Sequence, residues 1–231
     1  MKAVLFDLDD TLYPERTFVE SGFRAVGRFL AERAGLEAEG LATRMLEILD
    51  AEGRGKVFDR VLEEVGLLSE WRVRLLLHVY RTHRPTISLF EDVVPSLTKL
   101  RERGVRLGIV TDGMASVQRQ KMTALGIERY MDVVVCSDEL GPECWKPSPV
   151  AFQVALELLG AAPEEAGYVG DNVLKDFAGP NRLGMLSVAV CRPGVMAYAG
   201  EEAPGAEYVP QVTVSGLAQL VAEVDRRRRS A

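Results

Sequence analysis

Cysteine is scarce in this chain of 231 residues: three, at positions 136, 144 and 191, odd in number and in no metal-ligand spacing. Such scatter argues against a disulfide framework or a zinc module and reads as reduced, structural thiols in a cytoplasmic protein. Histidine is scarcer still. His78 and His83 are five residues apart and do not share a helix face well, which makes them a poor metal pair. No apolar run approaches the ~20 residues a membrane helix needs. The opening MKAVLFDLDD turns acidic too soon for a secretory leader. Positive charge is in deficit. A net charge of −6 argues against a general nucleic-acid binder, yet leaves room for a local basic pocket. The run RRRRS near the C-terminus reads as the solvated end of a last helix, where arginine suits the helix dipole. Neither an internal repeat nor a low-complexity linker is present.

What remains is an ordinary globular composition, 47% hydrophobic and 27% charged, enough chain for one large domain or two small ones. Residues 2–7, KAVLFD, predict a short buried strand. From about residue 15 to 84 apolar residues recur at helical spacing, as in Val19, Phe23, Val26 and Leu30, with no strand pattern between them. The GRG at 53–55 divides this block, and Trp71 with the Leu75–Leu77 run reads as its core. After Pro85 strands and helices alternate: VRLGIVT, MDVVVCS, AGYVGD and MLSVAV are strands, each followed by a helical pattern or a loop. The stretch 192–211, rich in Gly, Pro and Glu, reads as a long loop. The expected architecture is α/β: a Rossmann-like parallel sheet flanked by helices, built from residues 1–12 and 87–231, with an all-helical domain at 13–86 inserted after the first strand.

Ligands of open parallel sheets bind at the carboxyl ends of the strands, and four such ends carry chemistry. FDLDDTLYP crowds Asp7, Asp9 and Asp10 directly after the first strand. Two unit charges about 4 Å apart repel by ~4 kcal/mol at an effective dielectric of about 20, so a bound cation is expected to offset the crowding. The second strand ends in Thr111-Asp112-Gly113 just before a helix, where a hydroxyl and helix N-terminal amides suit phosphate oxygens. Beyond the third lies Lys146, one of six lysines beside 22 arginines. The fourth ends in GDNVLKD, with Asp171, Asn172 and Asp176.

This set, in this order, resembles the haloacid dehalogenase superfamily over nearly the whole chain. DLDDT matches its first motif, Thr111 its second, Lys146 its third and GDNVLKD its fourth, and the insertion point resembles that of members with a type 1 helical cap. The resemblance implies Asp7 as a nucleophile toward phosphorus and Asp9 as general acid and base. Members resembling dehalogenases lack an Asp at that second position, so Asp9 points to phosphoryl transfer. It implies phosphate contacts from Thr111, Lys146 and the backbone N–H groups of Asp112 and Gly113. It implies Mg²⁺ held by Asp7, the backbone carbonyl of Asp9, and Asp171, with Asp176 orienting a metal-bound water or Lys146 and Asn172 in support. Asp10 reads as a turn residue. Asp112 stands where the family often has Asn, and is expected to point away from phosphate. Lys175 is expected to face solvent. A helix N-cap is the competing reading of Asp171.

The helical insert is expected to close over the site about hinges near Leu12–Glu15 and Arg84–Thr86, with Glu15, Arg16, Arg54 and Lys56 as substrate-selecting residues. Three activities stay open: hydrolysis of a small phosphomonoester (sugar phosphate, phosphoglycolate or nucleoside monophosphate), a phosphomutase using the same aspartate, and a non-hydrolytic phosphoacceptor. The expected partner is a small phosphorylated metabolite, with no nucleic acid or membrane, in a monomer or homodimer.

Overall fold

The computed structural model describes residues 1–192, 195 and 201–229. Five of its strands are short apolar runs, and their burial explains their pairing. Strand β1 (Ala3–Phe6) is buried along its whole length and lies between β2 (Arg106–Thr111) and β4 (Ala166–Gly170), parallel to both. A strand covered on both faces needs no alternation of polar residues, which is why AVLF carries none. Strand β3 (Val133–Cys136) extends one side, and β5 (Leu186–Val190) with β6 (Val212–Val214) the other. The order is β3-β2-β1-β4-β5-β6, all parallel. The strand order reverses beside β1, so the crevice at the carboxyl ends of β1, β2 and β4 is the natural ligand position. Close packing is visible at Gly108 in β2, where an added Cβ would stand 2.6 Å from Val133 and 2.7 Å from Leu5.

Helices α5 (Val93–Glu102), α6 (Ala115–Leu125), α7 (Val150–Leu159) and α8 (Ala178–Leu183) lie between the strands in chain order, and α9 (Leu217–Arg229) follows the last strand. Gly126 ends α6 in the left-handed region at φ 60°, its N–H turned back to the Met122 carbonyl. The last strand, β6, falls just past the 192–211 stretch. Within that stretch the described residues form a 3-10 turn at Ala206–Tyr208. Residues 193–194 and 196–200 of the expected loop, and Ser230 of RRRRS, lie outside the described residues.

The chain divides into two compact units, Met1–Pro14 with Ser88–Ala231, and Glu15–Ile87. The first boundary falls two residues later than the sequence places it. Tyr13 falls in the α/β unit, where its backbone bridges to Asp9, and its side chain is fully buried. The second unit holds α1 (Glu15–Ala34), α2 (Ala38–Glu52), α3 (Val57–Glu64) and α4 (Glu70–Thr82). Its core includes Phe23, Phe58 and Leu76, with Tyr80 in edge contact with Phe18 and Phe58. Trp71 corrects the sequence reading: it is 60% exposed and stacks beneath the Arg72 guanidinium. It precedes the buried Leu76 by five positions, which turns it off the apolar stripe. No helix among the described residues is long and apolar enough to cross a membrane.

Candidate active site

Asp7 continues β1 by one residue, its N–H donating to the Val169 carbonyl at 2.8 Å. Its side chain is buried at the strand end, and Lys146 Nζ lies 2.7 Å from Oδ1. The same ammonium reaches Asp176 Oδ1 at 2.7 Å and Tyr168 Oη at 2.9 Å, and the Tyr168 hydroxyl donates to Asp176 Oδ1 at 3.2 Å. A lone buried ammonium would lose its proton. Burial opposes the charge on Lys146, but Asp176 and Asp7 outweigh it and hold the amine well above its ordinary value.

Asp171 and Asp176 come from the loop between β4 and α8. Asp176 is saturated: besides Lys146 and Tyr168, its Oδ2 accepts from the N–H groups of Asp171 at 3.2 Å and Asn172 at 2.9 Å. Burial pushes its carboxyl up, yet Lys146 and Lys175 bring it below the usual value. Asp171 is not an N-cap, because α8 begins only at Ala178. Its Oδ1 accepts from Thr11 Oγ1 at 3.2 Å. Burial, followed by the charges of Asp176 and Asp7, drives the Asp171 carboxyl up to about 9. Burial likewise raises Asp7 to about 6, against the pull of Lys146. Carboxylate oxygens of Asp7, Asp171 and Asp176 lie within 4.8 Å of one another. Asp176 has its donors already. Asp7 and Asp171 are the pair whose ionisation a cation would relieve, and an all-oxygen donor set suits a hard divalent ion.

Asp9 is held apart from that cluster by groups the sequence did not single out. Its Oδ2 accepts from Gln118 Nε2 at 2.9 Å, Lys121 Nζ contacts both oxygens at 2.7 and 2.9 Å, and the Tyr13 hydroxyl donates to Oδ1. Burial raises the Asp9 carboxyl, but the Lys121 charge and hydrogen bonds from Lys121, Tyr13 and Gln118 bring it below its ordinary value. Asp10 turns the chain at φ 54°, the left-handed conformation that Asp tolerates.

Thr111 ends β2, buried, and accepts from Gln118 at 2.6 Å. Asp112 faces Ser137 Oγ at 2.6 Å and the Lys146 N–H at 3.2 Å, tying the ends of β2 and β3 to the Lys146 loop. Lys175 is a correction: rather than facing open solvent it is half-buried, 3.5 Å from Asp112. A carboxylate in place of the expected Asn draws the ammonium inward. Gly113 sits at φ 103°, outside the range of most side chains. Asn172 accepts from the Leu174 N–H at 2.9 Å, so its side chain closes its own turn.

Within the helical unit, Arg54 is bidentate on Glu15 at 2.5 and 3.0 Å and Arg16 on Asp50 at 2.5 and 2.8 Å. Lys56 precedes α3 and is exposed, and its ammonium makes no ion pair among the described residues.

Thr11, Tyr13, Gln118, Lys121 and Tyr168 are the site neighbours the sequence reading missed. Gln118 and Lys121 share the buried face of α6 with Met122, where polar residues are out of place, and only the folded helix shows them there.

The parallel sheet therefore gathers carboxylates from the ends of β1 and β4 around one ammonium. A family model of haloacid dehalogenase-like hydrolases matches residues 1–184. The chain is 40% identical to a glyceraldehyde 3-phosphate phosphatase of Methanopyrus kandleri over 200 residues, 83% of this chain and 84% of that protein. It is 32% identical to a phosphoserine phosphatase of Thermus thermophilus, over 83% of this chain and 89% of that one. Among solved structures, a HAD phosphatase from Thermococcus onnurineus superposes with a TM-score of 0.63 at 29% identity, covering 97% of this chain and 98% of that one. The protein belongs to the haloacid dehalogenase-like hydrolases.

Proposed function

We propose that this hydrolase removes phosphate from a small phosphomonoester, with Asp7 as the phosphoryl acceptor. The observation that carries the reading is the convergence of the buried Asp7 and half-buried Asp171 carboxylates with Lys146 at the ends of β1 and β4. The 40% identity to a glyceraldehyde 3-phosphate phosphatase puts three-carbon sugar phosphates first among the substrates.

An Asp7 oxygen attacks phosphorus. The ester P–O bond breaks, and the leaving oxygen takes a proton from the Asp9 carboxyl. Asp9 then takes a proton from water, whose oxygen attacks the aspartyl-phosphate, and Asp7 and inorganic phosphate are released. In the free site Asp9 is held ionised, the form that activates water, while an arriving phosphate dianion opposes that ionisation and favours the acid form. Lys146 and the Thr111 hydroxyl, with the N–H groups of Asp112 and Gly113, hold the phosphoryl oxygens. Asp7, Asp171 and the Asp9 carbonyl would hold Mg²⁺, which when bound supplies positive charge to the phosphoryl group and lets two carboxylates ionise together. Asp176 orients Lys146 through their contact at 2.7 Å.

In the helical unit Arg16 and Arg54 already face carboxylates. Lys56 is therefore the cation we assign to substrate choice. The three free thiols suit a reducing cytoplasm. A panel of sugar phosphates, phosphoglycolate and nucleoside monophosphates, assayed with and without Mg²⁺, tests the reading. Turnover that needs Mg²⁺ and disappears in Asp7→Asn supports it. Equal activity in the wild type and Asp7→Asn rejects it, and an isomerised ester in place of free phosphate favours a mutase.

A further inference from the structure

Helix α6 turns two polar side chains into the site that the reaction above leaves without a task. Lys121 is buried, its side chain only 5% exposed, and its ammonium contacts both oxygens of Asp9, at 2.7 and 2.9 Å. Gln118, three residues earlier and on the same face, donates at 2.9 Å to Asp9 and at 2.6 Å to Thr111. One amide therefore links the carboxylate assigned to proton transfer with the hydroxyl assigned to phosphate. Burying an ammonium is costly, and α6 has exposed positions where a lysine would cost nothing. A carboxylate offers about four lone-pair sites. Tyr13, Gln118 and the two contacts of Lys121 occupy that number on Asp9. Proton transfer needs one of these sites. Lys121 touches both oxygens, so it is the donor able to release one and keep the other.

We infer that Gln118 and Lys121 are positioning residues that aim the Asp9 carboxylate at the leaving oxygen while fixing its distance from the phosphate held at Thr111. The inference rests on the reading of Asp9 as the general acid and base. It separates this pair from an ordinary core ion pair, because a positioning role makes their effect depend on the leaving group.

The test compares two esters in the Mg²⁺-loaded enzyme: the fastest alkyl ester of the panel, whose alkoxide needs a proton to leave, and 4-nitrophenyl phosphate, whose phenolate leaves without one. Lys121→Met keeps the apolar stem and removes the charge. It is expected to lower kcat/KM on the alkyl ester on the order of 100-fold and on the aryl ester by less than about threefold, since the acid matters only to the former. The turnover number falls on both, because the water step also uses Asp9. Lys121→Arg recovers part of the alkyl activity. In an Asp9→Asn background, Lys121→Met adds nothing on the alkyl ester, as expected of groups acting as a unit. Gln118→Met is run in parallel and carries the same comparison should Lys121→Met fail to fold. Equal losses of kcat/KM on both esters, or no loss on either, overturn the inference while leaving the phosphatase reading intact. A wild type inactive on every ester defeats the reading itself.

Discussion

Lys146 Nζ lies 2.7 Å from Asp176 Oδ1, and neither side chain is exposed at all. The same ammonium stands 2.7 Å from Asp7. Its positive charge is what permits two carboxylates to share this dry corner. Lys146→Met would leave Asp7 and Asp176 facing each other without it. Removing one partner of a buried pair typically costs about 3–5 kcal/mol. We expect a loss of that order in urea unfolding of the metal-free protein, partly recovered by adding Asp7→Asn. Phosphatase turnover should fall by on the order of 100-fold or more, as when one preorganised charge is lost from a phosphoryl site. A Lys146→Met protein as stable as the wild type would show that the carboxylates are compensated in some other way.

Metal affinity should depend on pH. In the metal-free site burial raises Asp7 to about 6, and burial with neighbouring carboxylates raises Asp171 to about 9. Both values exceed those of the unfolded chain, so the folded state keeps protons that the unfolded state has lost. The stability these protons provide is full at low pH and declines as pH rises through about 6 and then about 9. Mg²⁺ held by Asp7 and Asp171, as proposed, would displace the same protons. The rise in Tm on adding saturating Mg²⁺ should therefore be larger at about pH 8 than at about pH 5.5. An equal rise at both would separate the metal from these two carboxylates.

Gly170 ends β4 immediately before Asp171, and a Cβ there would stand 2.5 Å from Asp176 Oδ2. Gly170→Ala should push the Asp176 carboxylate off its partners, Lys146 among them. Overpacking of this kind costs typically about 1–3 kcal/mol, visible in Tm. The larger effect should be on turnover, because the displaced carboxylate is the one that orients Lys146. Full activity in Gly170→Ala would mean that Asp176 has a softer role than its contacts imply.

The sheet was legible because its strands are buried on both faces. AVLF and AGYVG read as strands without any alternation, and the glycines at 104, 126 and 160 mark helix ends. Strand β6 was not, since VTV is three residues long and follows a stretch with no periodicity. The site residues at strand ends stand out because Asp7, Thr111 and Asp171 interrupt apolar runs. Lys121 and Tyr168 do not. A lysine on a helix reads as a solvated face, and a tyrosine inside a strand reads as core. Only the fold reveals that Lys121 points inward to Asp9 and that the Tyr168 hydroxyl stands 2.9 Å from Lys146. Trp71 misled for the opposite reason: a large aromatic in a helix suggests core, but its position on α4 faces outward.

The account depends most on Asp7 as the group that accepts phosphate. Acid quenching of the working enzyme in the first turnover, followed by borohydride reduction, converts an aspartyl-phosphate to homoserine, and peptide mass spectrometry locates it. Homoserine at position 7, absent without substrate and absent in Asp9-competent Asp7→Asn protein, is the predicted result. Steady turnover with no modified residue at position 7, or with the label on another carboxylate, would contradict it.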